Sequence, residues 1–185
     1  CDCDTLKTLD PTETANGFAE IIKYAVICDA ELFEQLKSPK KLIIREVITR
    51  CVEIKRDIVG ADERDTGLRH LLNLGHTFGH AVEQCSGFTV PHGSAVAVGL
   101  SLITAACVKK RICYTNCRKD IATMLERYGL PTATDFSEEA LFEAMLSDKK
   151  RSAGKITLVV PRAVGESVLM TVTLDEAREF LRLGL

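Results

Sequence analysis

The chain has 185 residues, 46% hydrophobic and 27% charged, with 24 basic against 26 acidic side chains and a net charge of -2. That length supports one domain with a real core, or at most two small ones. A charge so nearly balanced offers no field of one sign to gather nucleic acid or an anionic membrane. No apolar run approaches the roughly 20 residues of a membrane span, and the opening Cys1-Asp2-Cys3-Asp4 has neither the basic nor the apolar region of a signal peptide.

Helical signals dominate the chain order. Asp10 reads as an N-cap with Pro11 as the first helical residue, and an apolar pattern runs on through Ile21, Ile22, Ala25, Val26, Leu32, Phe33 and Leu36. Ser38-Pro39 gives a second start signal, for a helix carrying Leu42, Ile43, Val47, Ile48, Val52, Ile54 and Ile58 and ending near Gly60. A third helix is expected from near Leu68 to about Gln84, broken by Ser86-Gly87. Pro91-His92-Gly93-Ser94 opens a fourth, whose small and aliphatic residues up to Val108 mark it as a buried central helix. Thr115 is the expected cap of a fifth, which ends at Gly129 with Pro131 beyond. Ser137 caps a sixth, from Glu138 to about Ser147.

Only then does the period change to that of a strand. Residues 155–160 and 167–172 flank 161–166, which reads as a β-hairpin with a longer loop, and Thr173-Leu174-Asp175-Glu176 is a capping box for a closing helix. The expected fold is mainly α: a multi-helix bundle with a small β-hairpin near the C-terminus, in a single domain over residues 1–185. The eight cysteines contain no CxxC pair and fall mostly in apolar helical stretches, so they read as reduced, small core residues of a cytosolic protein.

The chemistry-bearing residues concentrate around the expected third helix. Arg69, Asn73, His76 and His80 are spaced 4, 3 and 4 apart and would fall within an arc of roughly 60° on one helix face. Leu71, Leu72, Leu74, Phe78, Ala81 and Val82 make that helix apolar, so a polar stripe on it must face a cavity or carry the cost of unpaired buried polar groups. Gly75 and Gly79 lie beside the histidines and suggest a close approach. One histidine on a helix is ordinarily structural. Two histidines, an amide and a guanidinium in register point to a site. His76-Thr77-Phe78-Gly79-His80 is not the zinc-protease HExxH, because Thr77 stands where the glutamate would be. A third histidine, His92, opens the fourth helix, and Glu20 and Lys23 sit at i,i+3 in the apolar first one. Two histidines and one carboxylate give zinc three ligands and leave open positions. Spacing does not choose between His76 and His80, nor require Glu20. Lys55, Arg69 and Lys149-Lys150-Arg151 add positive charge suited to an anionic substrate.

Taken together, these segments resemble the 3-dehydroquinate synthase family. The matching stretches are Leu6-Lys7-Thr8-Leu9, residues 17–24, Lys55-Arg56-Asp57-Ile58-Val59 with Asp62-Glu63, residues 69–83, Pro91-His92-Gly93, Ala97-Val98-Gly99 and Asp148-Lys149-Lys150. Their order and spacing cover nearly the whole chain, but the likeness is to the C-terminal half of the family alone. The N-terminal NAD-binding, Rossmann-like domain has no counterpart here, since the chain shows no Gly-rich strand-to-helix turn and no parallel-strand pattern.

The resemblance implies roles residue by residue. Glu20, His76 and His92 match zinc (or cobalt) ligands, and Thr5, Leu6, Lys7 and Thr8 match a segment that touches NAD+. Lys23 matches a catalytic lysine near the metal-bound substrate hydroxyl. Lys55 and Arg69 match groups that hold the substrate carboxylate. Asn73, His80 and one of Lys149 and Lys150 match the phosphate-binding side, with Asn73 and His80 also catalytic. The implied reaction converts 3-deoxy-D-arabino-heptulosonate 7-phosphate to 3-dehydroquinate and phosphate in the shikimate pathway. It runs by NAD-dependent transient oxidation, phosphate elimination, reduction and aldol closure. The implied setting is a cytoplasmic enzyme, homodimeric at full length, in which this part alone is inactive. Rival readings are a related sugar-phosphate cyclase, a metal-dependent polyol dehydrogenase, and a non-catalytic helical scaffold with a polar core stripe.

Overall fold

In a computed structural model of the chain the residues described are 2–64, 67–114, 117–148 and 154–185, with Asp148 described by its backbone alone. The chain opens with a 3-10 turn, Cys3–Thr8. Asp10 then caps helix α1 (Pro11–Cys28) by accepting from the Thr12 N–H at 2.7 Å. The apolar pattern that predicts one helix through Leu36 is interrupted at Asp29. This residue ends α1 and caps α2 (Ala30–Leu36), accepting from the Leu32 N–H at 2.8 Å. Its carboxylate is 8% exposed and pairs with Arg50 Nε at 2.5 Å. The break therefore serves a contact 21 residues further on. Ser38-Pro39 starts a short 3-10 turn, Pro39–Lys41, and helix α3 begins only at Ile44 (Ile44–Ala61).

The expected third helix divides in two. Leu68–Asn73 is a 3-10 turn, Gly75 takes φ 80°, and α4 runs His76–Cys85. Helix α5 (His92–Lys109) follows, then α6 (Cys117–Arg127) and α7 (Glu138–Asp148). Thr115, the expected cap of α6, lies outside the described residues. Gly129 at φ 71° ends that segment, with the Leu130 N–H reaching back to Leu125 O at 3.0 Å. Strands β1 (Lys155–Ala163) and β2 (Glu166–Thr173) pair antiparallel from Lys155↔Thr173 to Ala163↔Glu166, with a bulge between Pro161 and Ala163. The loop is thus Val164-Gly165, shorter than the pattern suggests. Arg162 stands at the bulge, its carbonyl accepting from the Tyr114 N–H at 2.7 Å, and in a two-stranded sheet both strands are edges, where proline is tolerated. Thr173 and Glu176 form the expected capping box of α8 (Leu174–Gly184). The structure is mainly α with one C-terminal hairpin.

Helix α5 is the axis of the bundle. It packs against α1, α4, α6, α8 and β1, and Ala95, Val96, Ala97, Leu100, Ala106 and Cys107 are fully buried. Its length and composition alone would suit a membrane, but 72% of it is buried inside the protein. Of the cysteines described, all are free thiols. Cys51, Cys107 and Cys117 are core residues as expected, whereas Cys28 is exposed.

Glycine sets how closely the helices approach α5. A Cβ at Gly99 would fall 2.0 Å from the Gly75 carbonyl oxygen and 2.7 Å from the Gly79 nitrogen, and one at Gly93 would fall 2.4 Å from the Asn16 carbonyl oxygen in α1. Backbone meets backbone at both places, so no side-chain rotation can make room. Gly99→Ala should therefore destabilise the chain by about 3 kcal/mol, at the upper end of overpacking costs. Gly17→Ala, in an exposed part of α1 with nothing within 4 Å, should stabilise it by about 0.5–1 kcal/mol. Urea unfolding midpoints of the two variants check both signs.

Candidate metal centre

The close approaches bring two helix starts and one helix face together. His76 is the first residue of α4 and His92 the first of α5, and their ring centroids lie 5.2 Å apart. Glu20, from α1, enters between them. Its Oε1 is 3.6 Å from His76 Nε2 and 3.7 Å from His92 Nε2, and the three candidate ligand atoms all lie within 4.8 Å of one another.

Hydrogen bonding at the far side of each ring fixes what faces inward. His76 Nδ1 lies 3.2 Å from the Leu74 carbonyl oxygen, and His92 Nδ1 lies 3.0 Å from Glu83 Oε1. Both partners only accept, so each neutral ring carries its proton on Nδ1 and turns the Nε2 lone pair inward. Glu20 Oε1 is also an acceptor, and among the described residues it is a buried side-chain oxygen with no hydrogen-bond partner. Three lone-pair donors thus point at one space with no proton between them. A nitrogen and oxygen set of this kind, two imidazoles and a carboxylate with room for further ligands, fits a divalent transition metal such as zinc.

Lys23, one turn along α1, holds the other oxygen of the carboxylate, with Nζ donating to Glu20 Oε2 at 2.6 Å. The pair is not the surface ion pair that its spacing alone suggests, for the Lys23 side chain is 4% exposed. Burial lowers the Lys23 pKa, Glu20 pulls it back up and Lys55 pushes it down. Burial would raise the Glu20 carboxyl, but Lys23 and the two imidazoles outweigh it, and its pKa lies below the ordinary value. Burial, reinforced by Lys23, takes His76 down to about 4. The imidazole is therefore neutral, as a ligand must be.

The remaining sequence-predicted residues are distributed around this centre. His80 is exposed one turn along α4, its ring centroid 5.4 Å from that of His76 and 6.1 Å from that of His92. Lys55 is exposed on α3, near enough to Lys23 to act on its charge. Arg69 and Asn73 do not share a helix with the histidines. The 3-10 turn and the left-handed Gly75 lie between, so the four-residue stripe on one buried helix face is not formed. Arg69 donates its backbone N–H to Asp62 Oδ2 at 3.0 Å and its guanidinium to the Glu63 carbonyl at 3.2 Å. Asn73 is exposed and borders a crevice lined by Thr77, Phe78, Leu158 and Val159. Thr5, Leu6, Lys7 and Thr8 lie on the exposed first turn, where Lys7 pairs with Asp4 at 2.8 Å, and Leu6 and Lys7 border a crevice against Ile43 and Ile44 at the start of α3. Lys149 and Lys150 lie outside the described residues.

Two contributors escape the sequence reading. The Leu74 carbonyl is aimed only because the helix breaks at Gly75. Glu83 stands seven residues after His76 and three after His80, a spacing that returns it to the same face of α4; that periodicity was the available signal.

The Glu20–Lys23 pair has unequal partners, and its variants should show it. Glu20→Ala strands a buried ammonium and should cost about 3 kcal/mol of stability. Lys23→Met leaves a carboxylate on a side chain that is 34% exposed, against 4% for Lys23, so water can replace part of the lost contact and the cost should be about 1 kcal/mol. Equal losses in chemical denaturation of the metal-free protein would contradict the burial asymmetry.

The sequence profile of the 3-dehydroquinate synthase C-terminal family matches residues 17–151. A 3-dehydroquinate synthase of Enterococcus faecalis strain OG1RF is 40% identical over 97% of this chain, and that of strain V583 is equally similar. The chain spans about half the length of these curated relatives, 52%. Among solved structures, the 2-epi-5-epi-valiolone synthase ValA of Streptomyces hygroscopicus subsp. jinggangensis 5008, with NAD+ and Zn2+ bound, superposes with a TM-score of 0.81 at 24% identity, over 95% of this chain and 52% of that one. A 2-deoxy-scyllo-inosose synthase complexed with carbaglucose-6-phosphate, NAD+ and Co2+ gives a TM-score of 0.76 at 20% identity, over 96% of this chain and 54% of that one. At these identities the likeness is one of fold.

Proposed function

The chain belongs to the 3-dehydroquinate synthase C-terminal family, and from that membership and the centre's geometry we propose that it is the metal- and substrate-binding part of a 3-dehydroquinate synthase. The proposed reaction takes 3-deoxy-D-arabino-heptulosonate 7-phosphate to 3-dehydroquinate and phosphate. The observation that carries the reading is the convergence of Glu20 Oε1 with two outward-clamped imidazoles, which leaves three acceptors facing one space.

Glu20, His76 and His92 would hold zinc or cobalt. When bound, a divalent ion would supply acidification of a substrate hydroxyl, and NAD+ would supply a hydride acceptor. The chain's own residues do the positioning. Lys23 Nζ spends one N–H on Glu20 and keeps others for a substrate hydroxyl beside the centre. Lys55 and Arg69 take the substrate carboxylate, Arg69 through its planar fork. His80, Asn73 and a lysine of the Lys149-Lys150 pair take the phosphate, His80 as the group able to exchange a proton with it. Holding the carboxylate and the phosphate of the sugar-acid phosphate at once fixes the reacting carbons relative to each other, and that accounts for much of the rate in a reaction of this type. In this reading most of the NAD+ site, apart from Thr5, Leu6, Lys7 and Thr8, lies on an N-terminal domain, and the working enzyme is a cytoplasmic homodimer.

The fold likeness to two other sugar cyclases supports a second reading, a cyclase whose substrate lacks the carboxylate. The 40% relative and the Lys55 and Arg69 pair favour the first.

Titration should find one zinc per chain, lost in His76→Ala; a parent that takes up no zinc, or a His76→Ala chain that binds as well, overturns the metal reading. The 185-residue chain alone, given zinc, NAD+ and substrate, should release no phosphate in a colorimetric assay, and turnover would refute the dependence on an NAD-binding domain. In the enzyme with that domain, Arg69→Ala should raise KM for the carboxylated substrate about 10- to 100-fold, the loss expected for a charge-assisted hydrogen bond.

A further inference from the structure

The two imidazoles of the centre are held very differently. The His76 side chain is 14% exposed, and its Nδ1 faces a backbone carbonyl that the Gly75 turn fixes in place. The His92 side chain is 50% exposed, at the first residue of α5, and an imidazole so exposed is free to leave its rotamer unless something holds it. What holds it is Glu83, whose side chain is 15% exposed and whose Oε1 lies 3.0 Å from His92 Nδ1. An ionised carboxylate only accepts, so this contact selects the tautomer with the proton on Nδ1 and aims the Nε2 lone pair at Glu20 Oε1.

Charge gives Glu83 a second task. Glu20 is neutralised by Lys23 at 2.6 Å, and both histidines start helices, where the backbone presents partial positive charge. Without Glu83 a cation would enter a centre of no net negative charge.

We propose that Glu83 is a positioning residue of the metal centre: it orients His92 through Nδ1 and supplies the negative charge that Lys23 cancels at Glu20. The inference rests on the metal reading above. It treats Glu83 as acting through His92 and not as a ligand, although Glu83, His80 and His92 also lie close enough to form a metal-holding group of their own.

Three variants separate these roles, read by zinc competition against a chromophoric chelator and by the visible absorption of the cobalt-loaded chain. Glu83→Ala removes both acceptor and charge and should weaken zinc binding about 10- to 100-fold, as loss of such an outer partner does, with an altered cobalt spectrum and an unchanged urea midpoint in the metal-free chain. Glu83→Gln keeps an acceptor for Nδ1–H and should recover part of the affinity and the parent cobalt spectrum. His80→Ala should bind zinc like the parent. The proposal is overturned if Glu83→Ala binds zinc as the parent does, if Glu83→Gln is as weak as Glu83→Ala with the same spectrum, or if His80→Ala loses as much as Glu83→Ala. The last outcome would make Glu83 a ligand beside His80. A parent chain that takes up no zinc fails at the metal reading itself, whereas a parent that binds one equivalent through His76 leaves the Glu83 variants to decide this inference.

Discussion

Helices α4 and α5 meet backbone to backbone, with no room for a single carbon atom between Gly99 and the Gly75 carbonyl. Every polar feature of the centre depends on that distance. The histidines come from the starts of these two helices, and a separation set by ordinary aliphatic side chains, near the 8–10 Å typical of helix axes or beyond, would carry their rings apart. Gly93 repeats the device against Asn16 and so draws the Glu20 face of α1 to the same point. Small residues cost helix stability, roughly 1 kcal/mol each for glycine, and here they are what allows three elements distant in sequence to share one space.

The electrostatics of that space follow from its construction. Two helix starts direct partial positive charge inward, and a buried ammonium adds a full one. The His76 imidazole answers by staying neutral, and the Glu20 carboxylate by staying ionised, its pKa below the ordinary value despite burial. The arrangement is poor for a proton and well suited to an ion that accepts lone pairs. Lys23 restrains one carboxylate oxygen of Glu20 and leaves the other unpartnered, facing the two imidazoles.

The parts of the fold with a local cause were legible in the sequence. Asp10-Pro11, the Thr173–Glu176 box, the Gly129 terminus and the small-residue run of α5 each carry their own start, stop or burial signal. The parts with a distant cause were not. Asp29 breaks a helix to meet Arg50, and Gly75 turns left-handed where Val96 O and Leu100 N press to within 2.9 and 3.0 Å of a Cβ position. A helical wheel drawn through Arg69, Asn73, His76 and His80 has no knowledge of that pressure, so it joined residues that the chain separates. For the same reason spacing left His76 and His80 equivalent. What distinguishes them is the Leu74 carbonyl behind one ring and the exposure of the other, and both are products of packing. The family resemblance supplied the grouping of Glu20, His76 and His92 that periodicity did not.

The three converging atoms belong to positions 20, 76 and 92, so an ion held among them would act as a cross-link across a long stretch of chain. Helix α1 has no covalent tie to the α4–α5 pair nearer than the whole of α2 and α3. A loaded centre would clamp it there, and the cost of opening the bundle along that seam would then rise with metal concentration. Protease sensitivity around α2 and α3 would report occupancy from outside the centre, because those elements form the loop such a cross-link closes. The same glycines that bring the three side chains together would thereby make the bundle's cohesion depend on what is bound between them.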